Sequence, residues 1–119
     1  MQTAAIFTSA KPTTSGYRDV SPEGLRSALG TVRVVDVREP HELTGELGHI
    51  AGVELAPLST VAARAASWPR DQVIVLVCRS GARSGSAART LVDAGFHQVL
   101  NLAGGMLAYN AAGFPVVKR

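Results

Sequence analysis

The sequence predicts an α/β domain built on an open, mainly parallel sheet of about five strands with helices on both faces. Three observations carry that expectation. Strand-like and helix-like segments alternate from Tyr17 onward. The run "QVIVLV", Gln72 to Val77, is apolar without alternation, as expected of a strand buried on both faces of a parallel sheet. Two polar signatures, Asp36-Val37-Arg38 and Cys78-Arg79, follow strand-like runs. Open α/β sheets bind their ligands beyond the carboxyl ends of such strands.

The elements follow in order. Tyr17 to Val20 reads as a short first strand. Ser21-Pro22 reads as an N-cap with proline at the first helical position, opening a helix to about Leu29, and Gly30 stops it. Val32 to Val37 is a β-branched strand, and "REPHELTGEL" holds a short irregular helix with Pro40 in its first turn. "GVELAPL" holds a short strand ended by Pro57, and Ser59 to Ser67 reads as helical. After the strand at Gln72–Val77, Ala82 to Ala94 forms a helix with Ala87, Ala88, Leu91 and Val92 on its inner face and Gly95 just past its end. "HQVLNL" is a further strand and "GGMLAYNAAG" a last short helix.

The chain of 119 residues suits one core. No linker divides it after Gly16, so the domain is expected over residues 17–119, with residues 1–16, rich in Thr, Ser and Ala, as a flexible N-terminal arm. The 46% apolar and 18% charged fractions fit a soluble globular protein. No apolar run approaches a membrane span, and the N-terminus lacks the pattern of a secretory signal. The net charge is +3 without a dense Lys/Arg cluster, which argues against a nucleic-acid partner. A single cysteine excludes an internal disulfide and suits a reducing, cytoplasmic setting. It offers no metal-ligand spacing with the scattered His41, His49 and His97, and no cofactor motif is present.

That cysteine, Cys78, closes an apolar strand and opens the loop "RSGARS". Buried packing explains a cysteine inside a strand, but poorly explains one at this junction. Inward-turned loop N–H groups form an anion nest, and the following helix adds a positive dipole end. Arg79, Arg83 and Arg89 stand between Gln72 and Val92 with no carboxylate among them. A thiol in that field has a lowered pKa and is a nucleophile. None of the three histidines falls beside it in sequence, so a Cys–His hydrolase lacks support.

In these residues the chain resembles the rhodanese (thiosulfate sulfurtransferase) family in its single-domain form, over about Tyr17 to Val117. "VVDVREPHEL", "GHIAGVELAPL", "VLVCRSGARS" and "AARTLVDAGFHQVLNLAGGMLAYNAAGFPV" match its motifs in order, with Val53 where alanine is usual and Tyr109 where tryptophan is usual. The resemblance implies a rhodanese-like fold in which Cys78 takes a sulfane sulfur and holds it as a persulfide. It implies that Arg79, Ser80, Gly81, Ala82, Arg83 and Ser84 bind the substrate, with Ser84 also starting the helix behind the loop. Asp36 and Arg38 then buttress the loop, and Gly104 and Gly105 make a tight turn. No metal or cofactor is implied. The implied partners are a small anionic sulfur donor such as thiosulfate, a thiol or cyanide acceptor, and a protein sulfur acceptor if the domain is a persulfide carrier module.

The rival reading is a phosphatase or arsenate reductase on the same scaffold. That signature needs an arginine six positions after the cysteine. Ser84 stands there, Arg83 is five on, and Val77 replaces the histidine expected before the cysteine.

Overall fold

A computed structural model describes residues 3–119. Its six-stranded sheet has the order β1-β2-β6-β5-β3-β4, with β1 Lys11–Pro12, β2 Arg18–Val20, β3 Arg33–Asp36, β4 Glu54–Leu55, β5 Val73–Val77 and β6 Gln98–Leu102. All neighbours are parallel except β1, which runs antiparallel to β2. The helices are α1 Ala5–Ser9, α2 Pro22–Ala28, α3 Pro40–Leu43, α4 Val61–Ala65, α5 Ala82–Asp93 and α6 Gly105–Ala111.

Alternate residues of β5 feed two cores. Ile74, Leu76 and Cys78 join Val61 and Ala65 of α4 and Ala87, Ala88 and Leu91 of α5 on one face. Val75 and Val77 join Leu25 of α2 and Met106 and Tyr109 of α6 on the other. Burial on both faces is why "VIVLV" shows no polar alternation. The helix starts follow local chemistry. Ser21 Oγ accepts from the Gly24 N–H at 3.0 Å with Pro22 at the head of α2. Gly81, at φ +105°, makes the turn into α5.

Three expectations change. Residues 5–12, expected within a flexible arm, form α1 and the edge strand β1. Distant residues supply their anchors. The Ala4 N–H donates to Gln98 Oε1 at 2.7 Å, and Arg18 donates to the Thr8 carbonyl at 3.0 Å while its guanidinium lies 4.7 Å from the centre of the Phe7 ring. This edge strand brings the sheet to six strands. The helix expected over Ser59–Ser67 is a 3-10 turn, Leu58–Thr60, followed by the short α4. Pro69 disfavours helix in the residue before it, and Trp68 there turns into the core. On α5, Val92 is only half-buried, while Ser84 and Gly85 are buried.

Candidate active site

The parallel pairing of β3 with β5 sets Asp36 opposite Val77. The signatures that follow, Val37-Arg38 and Cys78-Arg79, therefore share one edge of the sheet.

Cys78 is 1% exposed. The loop of residues 79–83 folds around its sulfur. The Gly81 N–H donates to Sγ at 3.0 Å, and Ser84 Oγ lies 3.2 Å from it. Burial pushes the thiol up. The Ser84 hydroxyl and the backbone N–H groups of Ser84, Gly81 and Ser80 outweigh that, and the pKa falls below its ordinary value. Ser84, expected among the substrate contacts, is the third residue of α5 and is buried rather than on the rim that such a contact would suggest. Arg79, Ser80 and Ala82 are exposed on the loop.

The loop is held from beneath. The carbonyls of Cys78 and Arg79 accept from the N–H groups of Met106 and Leu107, in the first turn of α6, at 2.8 and 3.0 Å. Gly105 is what permits this approach. A Cβ there would stand 2.5 Å from the Cys78 carbonyl oxygen and 2.6 Å from the Arg79 carbonyl, at φ +59°. Gly104 and Gly105 thus do more than turn the chain: they dock the last helix on the cysteine's own backbone.

Asp36 and Arg38 are both fully enclosed, at 0% and 1% exposure. Arg38 Nη2 donates to Asp36 Oδ2 and to the Gly48 carbonyl, each at 2.8 Å, and Nη1 reaches the Glu42 carbonyl at 3.4 Å. The pair ties the end of β3 to α3 and the loop after it.

The electrostatics differ from an open field of arginines. Arg83 is engaged by a carboxylate, with Nη1–Oε1 2.8 Å and Nη2–Oε2 2.9 Å to Glu42. Glu42 also accepts from the Glu39 N–H at 3.0 Å. Arg83 holds the Glu42 carboxyl down to about 2, against the opposing effect of burial. Arg89 lies along α5, lining a shallow cavity of about 350 Å³ with Tyr17, Gly81 and Gly85. The histidines stand apart from the sulfur: His49 Nδ1 pairs with the Leu43 carbonyl at 2.9 Å, His41 lies in α3, and His97 precedes β6.

Two residues escape a reading by motif, Glu42 and Asn101. Glu42 lies far from the loop in sequence and only α3 brings it to Arg83. Asn101 sits in β6, 6% exposed, and meets Ser84 Oγ. Its signal was present in "QVLNL", since an amide inside a buried strand must find partners.

The Rhodanese-like domain model matches residues 21–112. The chain belongs to the rhodanese-like domain family. A sulfurtransferase of Allochromatium vinosum is 38% identical over 102 residues, 83% of this chain and 94% of that protein. The thiosulfate sulfurtransferase GlpE of Pseudoalteromonas translucida is 35% identical over 88 residues, 74% of this chain and 82% of that protein. The crystal structure of a rhodanese-related protein from Thermoplasma volcanium superposes with a TM-score of 0.78 at 30% identity, covering 87% of this chain and 100% of that one. The mainly parallel six-stranded sheet with helices on both faces is thus the architecture of a rhodanese-like domain.

Proposed function

We propose that the protein moves a sulfane sulfur from thiosulfate to a small nucleophile, cyanide or a thiol, through a persulfide on Cys78. The observation that carries this reading is the enclosure of Cys78 Sγ by the Gly81 N–H and the other amides of the loop, with Ser84 Oγ beside it, at the end of a buried strand. Fixed donors of this kind favour a thiolate before the reaction and a charged persulfide after it.

The Cys78 thiolate attacks the outer sulfur of thiosulfate. The sulfur–sulfur bond of the donor breaks, and sulfite leaves with its electron pair. The new disulfide-type bond leaves the negative charge on the outer sulfur, Cys–S–S⁻, facing the loop amides. Cyanide or a thiolate then attacks that outer sulfur, and Cys78 departs as the thiolate. No group changes its net proton count in either step. Residues Arg79, Ser80, Gly81, Ala82 and Arg83 form the binding bowl, and Asp36 and Arg38 act as its support. The tightness of the bowl favours a donor with a slim, protruding sulfur.

A phosphatase reading fares worse. The loop spans five positions from Cys78 to Arg83, and Arg83 is already paired with Glu42. Neither feature suits a tetrahedral oxyanion. A lone free thiol suits a reducing compartment, so we assign the protein to the cytoplasm.

The test is mass spectrometry of the purified protein after thiosulfate, followed by cyanide. Wild type gains one sulfur atom that cyanide removes, and Cys78→Ser gains none. Identical behaviour of the two proteins overturns the reading. A persulfide that forms but resists cyanide and small thiols redirects it to a carrier serving a protein acceptor.

A further inference from the structure

Ser84 has one hydroxyl hydrogen and two neighbours that want it. Its Oγ lies 3.2 Å from Cys78 Sγ and closer still to Asn101 Oδ1. All three residues are buried, at 0%, 1% and 6% exposure for Ser84, Cys78 and Asn101.

The orientation of the Asn101 amide decides which neighbour receives the hydrogen. Its Nδ2 donates to Asp19 Oδ1 at 3.2 Å and to the Gly81 carbonyl at 3.3 Å. Both are acceptors. Turning the amide over would set its oxygen against two other oxygens, so Oδ1 is directed to Ser84. An amide oxygen has no hydrogen to give, and Ser84 must be the donor in that contact. The hydroxyl then presents a lone pair to Cys78. A protonated thiol satisfies it by donating S–H to Oγ. A thiolate does not: either Ser84 turns its hydrogen to the sulfur and leaves Asn101 Oδ1 without a partner in a buried site, or the sulfur loses that donor.

We infer that Asn101 is a positioning residue that holds the Ser84 hydrogen away from Cys78, so that the sulfur's charge rests chiefly on the loop's backbone N–H groups. In the persulfide the inner sulfur is neutral and makes no claim on that hydrogen. Asn101 therefore favours the loaded site over the bare thiolate. The inference rests on the proposed function only in taking Cys78 as the reacting atom.

The charged groups near the sulfur come from several elements: Arg79 and Arg83 from the loop and α5, Asp36 and Arg38 from the end of β3, Glu42 from α3, and Asp19 from β2 behind Asn101. A substitution at Asn101 leaves all of them in the chain, so a change in the thiol's titration reports the hydrogen bond when read against Ser84.

The experiment measures the pH dependence of Cys78 alkylation by iodoacetamide in wild type, Asn101→Leu, Ser84→Ala and the double variant, with thermal melts to confirm folding. Asn101→Ala replaces the leucine variant if the latter does not fold. The midpoint in the Asn101 variant falls by about one pH unit, since the freed hydroxyl now serves the thiolate. On the Ser84→Ala background the Asn101 change has no effect. An unchanged or raised midpoint in the Asn101 variant overturns the inference, as does an equal fall with and without Ser84. This readout needs no turnover. Persulfide formation with a failed cycle rejects the role of Asn101 alone, and a successful cycle without persulfide rejects the proposed function alone.

Discussion

Arg83 on the active loop and Glu42 on α3 are joined through two hydrogen bonds, 2.8 and 2.9 Å, across 41 residues of sequence. This bidentate pair cancels the formal charge of one of the two loop arginines.

Glu42→Gln uncovers that charge beside the bowl. Thiosulfate should then bind more tightly, with KM falling about fivefold and kcat little changed, because a single screened charge at this range is worth about 1 kcal/mol. Steady-state kinetics check this, and the gain should shrink with added salt. A rise in KM would show instead that the pair's main role is to shape the loop.

The same pair has a pH signature. The Glu42 carboxyl is lowered from 4.5 to about 2, chiefly by Arg83. A depressed acid contributes stability above its unfolded pKa and loses it as pH falls through the folded one. The advantage of wild type over Glu42→Gln in urea should be flat above pH 5 and close as pH approaches 2. The pair is partly exposed, with side-chain exposures of 36% and 21%, so the plateau should be modest, about 0.5–1 kcal/mol.

Gly105→Ala drives a methyl group into the Cys78 and Arg79 carbonyls. Gly113 provides the control, because it also has positive φ, +81°, but nothing lies within 4 Å of a Cβ there. Gly113→Ala should cost about 1 kcal/mol with sulfur loading intact. Gly105→Ala should cost about 3 kcal/mol or more and abolish loading, since the loop must shift. Urea denaturation and mass spectrometry separate the two outcomes.

Arg38→Leu leaves the Asp36 carboxylate enclosed without its partner and frees the Gly48 carbonyl. Removing one member of a buried pair typically costs about 3–5 kcal/mol. The thermal midpoint should drop by well over 10 °C for a domain of this size. A loss under 1 kcal/mol would mean that water reaches Asp36 and that the pair is not the support assigned to it.

Cys78 itself makes stability depend on pH. Its thiol is lowered in the folded protein, so it contributes stability above the unfolded thiol pKa and loses it as pH falls through the folded value. The difference in unfolding free energy between wild type and Cys78→Ser should therefore move in favour of wild type as pH rises from 7 toward 9. A flat difference would mean that the sulfur ionises alike in both states.

The site was unevenly legible in the sequence. Cys78 and its loop are consecutive residues, and a strand, a glycine-bearing loop and a helix in that order already imply amides turned toward the sulfur. The parallel register that brings Asp36 and Arg38 to the same edge followed from two apolar strands separated by helical segments. Glu42 could not be assigned this way. Its neighbours in "REPHEL" mark a helix, but nothing in them says that the helix faces Arg83. The N-terminal arm misled for a related reason. "AIFTS" is too short to show a helical period, and its anchors, Arg18 and Gln98, lie outside it.

Local chemistry alone therefore determined the alternating α/β plan, the buried central strand, the thiol at its end and the five-residue count to Arg83. These depend on residues close in the chain, where backbone geometry ties spacing to position. Tertiary structure decided where the charges and hydrogens go: Arg83 to Glu42, the Ser84 hydroxyl to Asn101, and the Cys78 carbonyl to the head of α6 across Gly105. Such contacts join segments 17 to 41 residues apart. They form only once two cores have packed against opposite faces of the sheet and fixed the distances among its loops.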